Sequence, residues 1–257
     1  MARKPGSSRQ IEGNGASAPP SPSQNSLLAK LPAGELAAFM ERAEPVTFPL
    51  REVLFENGQP FERVFFPVTG MGSLVTVLND GTTLEAMSVG REGFLGLPLF
   101  HGVETARTKC ICQIDGDFYQ LTADAFVSLL ALAPHLRMLL HRYSQFSNES
   151  VAQSAACNSI HLLEQRCARW LLLSADAVGR SKFSLTHEFL SQMLAVRRPG
   201  VTVAIGGLER QGLIAHRYGA VTIIDLEGLK NASCECYATI VDKARDLFDY
   251  DGLAISM

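Results

Sequence analysis

No cysteine stands among the first 109 of the 257 residues, and no apolar run reaches the ~18 residues that a membrane span needs. Runs such as Val127 to Ala133 stop well short. Charge of one sign is also missing: 23 Lys and Arg oppose 26 Asp and Glu, a net charge of -3. That balance excludes a uniformly basic nucleic-acid coat and a uniformly acidic tail, although an average can hide asymmetry. Arg3 and Lys4 are not followed by an apolar stretch, so no secretory signal is expected and the cytoplasm is the expected location. There is no Walker loop, no GxSxG elbow, no HExxH and no GxGxxG opening a helix. No nucleophile–base set is visible and no enzyme is expected. What is present is a 47% hydrophobic composition, enough to bury a core, in a chain long enough for two domains.

The six cysteines are too few for a disulfide scaffold at this length. Cys110/Cys112 and Cys234/Cys236 share a CxC spacing, while Cys157 and Cys167 stand alone. Zinc sites usually carry CxxC pairs completed by His or further Cys, and none of the six His completes such a set in sequence. His101, His135 and His161 have no recognisable partners, and no metal is expected. In a strand, Cys110 and Cys112 would share one face, as buried thiols or in a redox or metal role. Glu235 and its flanking thiols fall on an expected C-terminal helix, where Cys234 and Cys236 would not share a face, so a metal there would need ligands from elsewhere.

Residues 1–25 are rich in Gly, Ser, Pro, Gln and Asn, and a disordered leader is expected. A helical stretch follows from Leu27 to Arg42. Short runs rich in Val, Phe, Leu and Thr then alternate with turn dipeptides. The expected strands are Val46–Phe48, Arg63–Val68, Leu74–Leu78, Leu84–Val89, Cys110–Ile114 and Phe118–Leu121, with turns at Asn57-Gly58, Asp80-Gly81 and Asp115-Gly116. Many short strands with Gly turns predict a β-sandwich, barrel or jelly roll. Helical spacing returns at Ala123–Ala133 and in a long helix from about His135 to Asn158. Its seam turns small at Ser147, Ser150, Ser154 and Cys157, which suits either a homodimer contact or packing on its own domain. His161 to Ser174 predicts another helix.

Between Arg180 and Tyr218 lie six basic residues (Arg180, Lys182, Arg197, Arg198, Arg210, Arg217) and two acidic ones, Glu188 and Glu209. From Gly219 onward three basic residues face seven acidic ones, so the neutral average hides a basic module. Within it, Thr186 is a good N-cap for a helix lined by Phe189, Leu190, Met193 and Leu194. Ala195-Val196-Arg197 is a short break, and Pro199 suits the first position of a second helix ending near Gln211 before Gly212. Local propensity argues against that second helix. Gly206 and Gly207 cost about 1 kcal/mol each, and Val201-Thr202-Val203 favours a strand. Arg217 to Asp225 reads as the returning half of a β-wing.

These residues resemble the Crp/Fnr transcription regulators, named for the cyclic-AMP receptor protein and the fumarate–nitrate reduction regulator. Leu185 to Ile214 aligns without a gap to that family's helix-turn-helix. Residues 65–96 look like its β-roll, and residues 161–172 look like the first helix of its DNA-binding domain. The resemblance implies an α+β chain: a cyclic-nucleotide-type β-roll (jelly roll), a long dimerisation helix and a C-terminal winged helix-turn-helix. The expected boundaries are 1–25 leader, 26–133 β-roll sensor, 134–158 dimer helix, 159–230 DNA-binding domain and 231–257 helical tail. It implies a homodimer on palindromic double-stranded DNA, with RNA polymerase as a candidate further partner. Thr186 would contact a phosphate, and Gln192, Arg197, Arg198, Pro199, Gly200, Thr202 and Val203 would lie at the groove. Arg198 at the helix entrance suits guanine O6 and N7, or else a phosphate.

The chain departs from its relatives at several points. Pro199 stands where Glu is frequent and Val203 where Arg is frequent, so a different operator is expected. In the roll, Gly93-Phe94-Leu95-Gly96 places Phe94 where nucleotide binders hold the ribose with Glu, and Glu92 is displaced. Arg107 and Thr108 could supply a guanidinium and a hydroxyl, or Arg107 is a surface strand residue. Cyclic AMP in the usual mode is therefore not expected, and the effector is left unnamed with no cofactor assigned. An iron–sulfur sensor at the N-terminus has no cysteines to use. The rival readings are a thiol redox switch and an effector-binding adaptor with degenerate DNA reading.

Overall fold

The computed structural model describes residues 20–79 and 83–248. A 3-10 turn, Pro22–Gln24, leads into helices α1 (Ser26–Ala29) and α2 (Ala33–Met40). The roll follows as β1 (Glu44–Phe48), β2 (Val53–Phe55), β3 (Arg63–Pro67), β4 (Met71–Val77), β5 (Thr83–Val89), helix α3 (Leu97–Phe100), β6 (Lys109–Ile114) and β7 (Gly116–Thr122). Helices α4 (Ala123–Leu132), α5 (Pro134–Ile160) and α6 (Leu163–Val178) lead to β8 (Lys182–Ser184), α7 (His187–Met193) and α8 (Arg198–Arg210). The described residues end with β9 (Ile214–Arg217), β10 (Ala220–Ile223), α9 (Leu226–Ala232) and α10 (Cys236–Phe248).

The roll strands form two antiparallel sheets, ordered β1-β7-β3 and β2-β6-β4-β5, which share one apolar core. Alternation places Cys110 and Cys112 together on the inner face of β6, fully buried. Burial pushes the Cys110 thiol well above its ordinary range and the Cys112 thiol up to about 12, so this pair behaves as core filling. The Asp80-Gly81 turn lies outside the described residues, as do residues 1–19 of the expected leader.

Two expectations are corrected by packing, and a third is decided between its alternatives. Residues 20–25 are not part of a disordered leader. Asn25 is fully buried, its amide donates to the carbonyls of Pro67 and Gly93 at 2.9 Å each, and its Oδ1 caps α1. The single helix expected over Leu27–Arg42 is two, because Pro32 takes the N-cap position of α2 and cannot continue α1. The small-residue seam of α5 faces inward: Ser147, Ser150 and Cys157 are buried. There α10 packs back on α5, with Ile240 and Ala244 in the roll's own core and Lys243 Nζ 3.7 Å from Glu149. The outward face of α5 carries Met138, Val151, Ala152 and Ala155 instead.

The C-terminal third builds its own core on α6, and β4 and β6 join it through Met71, Val75 and Ile114. Trp170 Nε1 donates to Glu85 across this contact at 3.2 Å, and Arg180 donates to the Asp115 carbonyl at 2.7 Å. No single helix among the described residues is long and apolar enough to cross a membrane. The one bent pair that passes such a test together, α4 with α5, bends by 111°. Both buried faces of that pair lie on the roll.

Candidate nucleic-acid interface

Thr186 is the N-cap of α7: its hydroxyl accepts from the Phe189 amide at 3.2 Å, which leaves its own proton to donate. Phe189, Leu190 and Met193 bury one face of α7 against the α6 core. The chain then turns at Ala195, whose φ of 53° is tolerable for so small a side chain. Arg166, buried on α6, clamps this turn by donating to the Leu194 carbonyl and, through Nε, to Asn158 at 3.1 Å. Sequence reading missed it, since a buried Arg on a leucine-rich helix carries no local signature.

Helix α8 begins at Arg198, one residue earlier than expected, so Pro199 takes the second position. Its missing N–H costs nothing there, because the first four amides of a helix have no internal partner. Val201, Ala204, Ile205 and Leu208 are buried on α6. That burial, together with the close helix approach, outweighs the strand preference of Val-Thr-Val. At Gly207 a Cβ would meet the Glu164 carboxylate, the far end of a flexible side chain that can swing aside. Gly206 has only ordinary contact room, 3.7 Å to Arg210.

One exposed surface results. Arg197, Arg198, Pro199, Thr202 and Val203 project from the start of α8, with Gln192 exposed on α7 and Gly200 half-buried. The side chains of Arg197, Arg198, Arg210 and Arg217 make no ion pair among the described residues. Beside them the β9–β10 hairpin turns through Tyr218 and Gly219, both with positive φ (54° and 74°), the geometry of a two-residue hairpin. Tyr218 is fully exposed at its tip. His187 stacks on His216 with ring centroids 4.6 Å apart and sits 3.0 Å from the Thr202 hydroxyl. Burial, then His216 and Arg198, lower the His187 pKa and so favour the neutral ring beside the arginines. The His pair and Tyr218 were not singled out in sequence, because each depends on the wing folding back onto α8.

The residues expected to hold an effector are placed differently. Phe94 is buried and stacks on Phe66, with centroids 5.3 Å apart, in a cluster with Phe126 and Tyr143. Leu95 is buried and exchanges backbone hydrogen bonds with Phe65. Gly93 admits the Tyr143 ring, and Gly96, at φ 128°, lies against Val64. Thr108 lines a cavity of only about 60 Å³ with Phe55, Leu74, Met87 and Phe94, and no charged side chain lines it. Arg107 is exposed and does not line it; it is a surface residue, on the bend before β6 rather than in a strand. A larger cavity of about 110 Å³ lies between the roll, α5, α6 and α10, bordered by Glu85, Glu92, Arg169 and Asp176.

A Crp-like helix-turn-helix domain model matches residues 165–232, and a cyclic nucleotide-binding domain model matches residues 45–132, in that family's order. The chain belongs to the Crp/Fnr family. Among relatives of this Crp/Fnr chain is the transcriptional regulator SdrP of Thermus thermophilus, 26% identical over 197 residues covering 73% of this chain and 93% of SdrP. The CRP-like cAMP-activated global transcriptional regulator of Mycobacterium tuberculosis is 25% identical over 208 residues, 76% of this chain and 90% of the relative. The solved CRP-family regulator TTHB099 of Thermus thermophilus superposes with a TM-score of 0.61 at 23% identity, covering 73% of this chain and 96% of its own. FixK2 of Bradyrhizobium japonicum gives 0.62 at 15%, covering 75% and 98%, a likeness of fold. The matched domains and relatives are those of transcription regulators, not enzymes.

One expectation about this Crp/Fnr chain fails on geometry. Cys234 precedes α10 rather than riding on it, so Cys234 and Cys236 converge. Cys157 and His161, from the end of α5, complete the group. His161, read as a lone histidine, therefore has partners, and α5 brings Cys157 and His161 to the place where Cys234 and Cys236 would need ligands from elsewhere.

Proposed function

We propose that the protein binds a two-fold symmetric operator as a homodimer, reading bases with the first turn of α8. The observation that carries this is the exposed set Arg197, Arg198, Thr202 and Val203 beside a folded wing, with both arginines free of any ion pair among the described residues. Arg198 chelates a guanine edge, Arg197 and Thr186 hold phosphates, and Val203 gives apolar contact where relatives place Arg. Pro199, Gly200 and Gln192 shape the groove edge. The exposed α5 face through Met138, Val151, Ala152 and Ala155 pairs with a second copy, taking the role expected of the inward seam. The functional units are a roll within 26–133, a dimer helix, a winged helix-turn-helix within 159–230 and a C-terminal helix. RNA polymerase is the partner such a DNA-bound dimer would meet in the cytoplasm.

The effector reading changes with the aromatic packing. Phe94 and Tyr143 fill the roll, and no cation faces its small cavity. A cyclic phosphate has no neutralising group there. Cyclic AMP in the usual mode is therefore not the effector, and Gly93, Phe94, Leu95 and Gly96 act as packing residues. Selection of bound duplexes from a random pool at near-physiological salt tests the function. Recovery of a symmetric motif is expected; salt-sensitive binding without any motif would contradict it.

A further inference from the structure

Four side chains that no sequence spacing links meet at the junction between α5 and α6. Cys157 lies on the last turn of α5 and His161 is its C-cap, an i, i+4 pair on one face. Cys234 and Cys236 come from the entrance of α10. Their four ligand atoms all lie within 4.8 Å of one another. Cys157 Sγ is 3.5 Å from Cys234 Sγ, and Cys236 Sγ is 3.6 Å from His161 Nδ1. In a tetrahedral zinc site, with Zn–S near 2.3 Å and Zn–N near 2.0 Å, ligand atoms stand about 3.5–3.8 Å apart. Two of the separations thus match a tetrahedral site already, and none of the others exceeds 4.8 Å.

The surroundings are also those of a metal site. The three thiols form a buried cluster of their own, apart from the two apolar cores, so they do not serve as ordinary core filler. His161 Nε2 is 3.1 Å from Glu235 Oε1. A proton on Nε2 donated to that carboxylate leaves the Nδ1 lone pair facing the sulfurs, the arrangement that orients metal-binding imidazoles. Gln153 Nε2 donates to Cys236 Sγ at 3.2 Å, a contact that favours a sulfur bearing negative charge.

We propose that Cys157, His161, Cys234 and Cys236 bind one zinc ion. Three thiolates and one imidazole are a soft, closed donor set of the structural zinc type. Binding releases three thiol protons and transfers no electrons. The ion ties α10 to the end of α5, two residues before α6 begins at Leu163. It therefore braces the hinge that sets where α8 points, and metal occupancy becomes a condition for a fixed domain arrangement.

The test uses the reduced, demetallated full chain titrated with Co(II) and then Zn(II). One Co(II) per chain is expected, with thiolate charge-transfer absorption and the visible bands of a tetrahedral site, bleached by one equivalent of Zn(II). Cys234→Ser should abolish the signal, and Cys110→Ser should keep it. Glu235→Gln, which leaves every ligand in place, should weaken affinity about tenfold. No uptake by the folded, reduced chain would overturn the proposal. So would a Cys157–Cys234 disulfide in protein that takes no metal once reduced. A chromophore with acid-labile sulfide would replace the single ion by a cluster and overturn it as well.

Discussion

The two halves of the molecule use aromatic and charged side chains in opposite ways. In the roll, aromatic rings fill the interior: Phe94, Phe66, Phe126 and Tyr143 occupy the centre, and the one guanidinium expected there, Arg107, faces solvent. In the DNA-binding half, cations and one aromatic ring are set out on the surface, unpaired, from Arg197 to Tyr218. Such a roll resists a charged ligand, while the surface opposite is ready for a polyanion. The difference teaches that family membership carries the DNA-reading frame further than it carries the ligand.

The contrast can be broken most severely from inside the roll. Phe94→Ala should cost about 3–5 kcal/mol of stability, read by denaturant unfolding, since it empties the centre of the aromatic cluster. A loss below about 1 kcal/mol would mean that the ring does not hold the core. On the outer surface, Arg198→Ala should weaken binding to a selected operator by about 1–3 kcal/mol and relax one base position, with the fold unchanged. Arg197→Ala should instead weaken all duplexes alike and lower the salt slope by about one. Anisotropy titrations at several salt concentrations separate these two behaviours.

Between the halves, burial pushes Glu85 up to about 7, although Ser73 and Trp170 donate to its carboxylate. The larger cavity's other carboxyls move the same way: burial raises Glu92, and raises Asp176 to about 6. A carboxyl whose folded pKa lies above its unfolded value adds stability below about 4.5 and loses it as pH rises through 7. Glu85→Gln should therefore match the parent at pH 5 and exceed it by about 1–2 kcal/mol at pH 8, a figure reduced because Glu85 still faces the cavity. Equal melting curves at both pH values would contradict this. Gly206→Ala should stabilise α8 by about 1 kcal/mol, as the added methyl meets only Arg210, whereas Gly207→Ala should gain less, since it must displace the Glu164 carboxylate. Cyclic AMP should leave the melting temperature unmoved.

Much of this fold was legible from punctuation. Gly turns and β-branched runs marked most of the roll strands, and Thr186, Pro199 and Gly212 bracketed the helix-turn-helix. Other elements were not legible, each for a physical reason. Val53–Phe55 is too short for alternation to show and is held by its neighbour β6. Helix α8 contradicts its own propensities and exists because Val201, Ala204, Ile205 and Leu208 bury against α6. The small seam of α5 was visible, but only the path of α10 decides that it faces inward. The two CxC pairs are the clearest lesson. Identical spacing gives core thiols on a strand and a converging donor set at a helix entrance, because the second pair depends on residues 157 and 161.

The central claim is that the entrance of α8 reads a base. Replacing the contacted guanine of a selected operator by 7-deazaguanine removes the N7 acceptor and leaves the rest of the duplex intact. The parent protein should lose about tenfold or more in affinity, and Arg198→Ala should lose nothing further. Equal losses in both proteins, or none in the parent, would contradict base reading by Arg198.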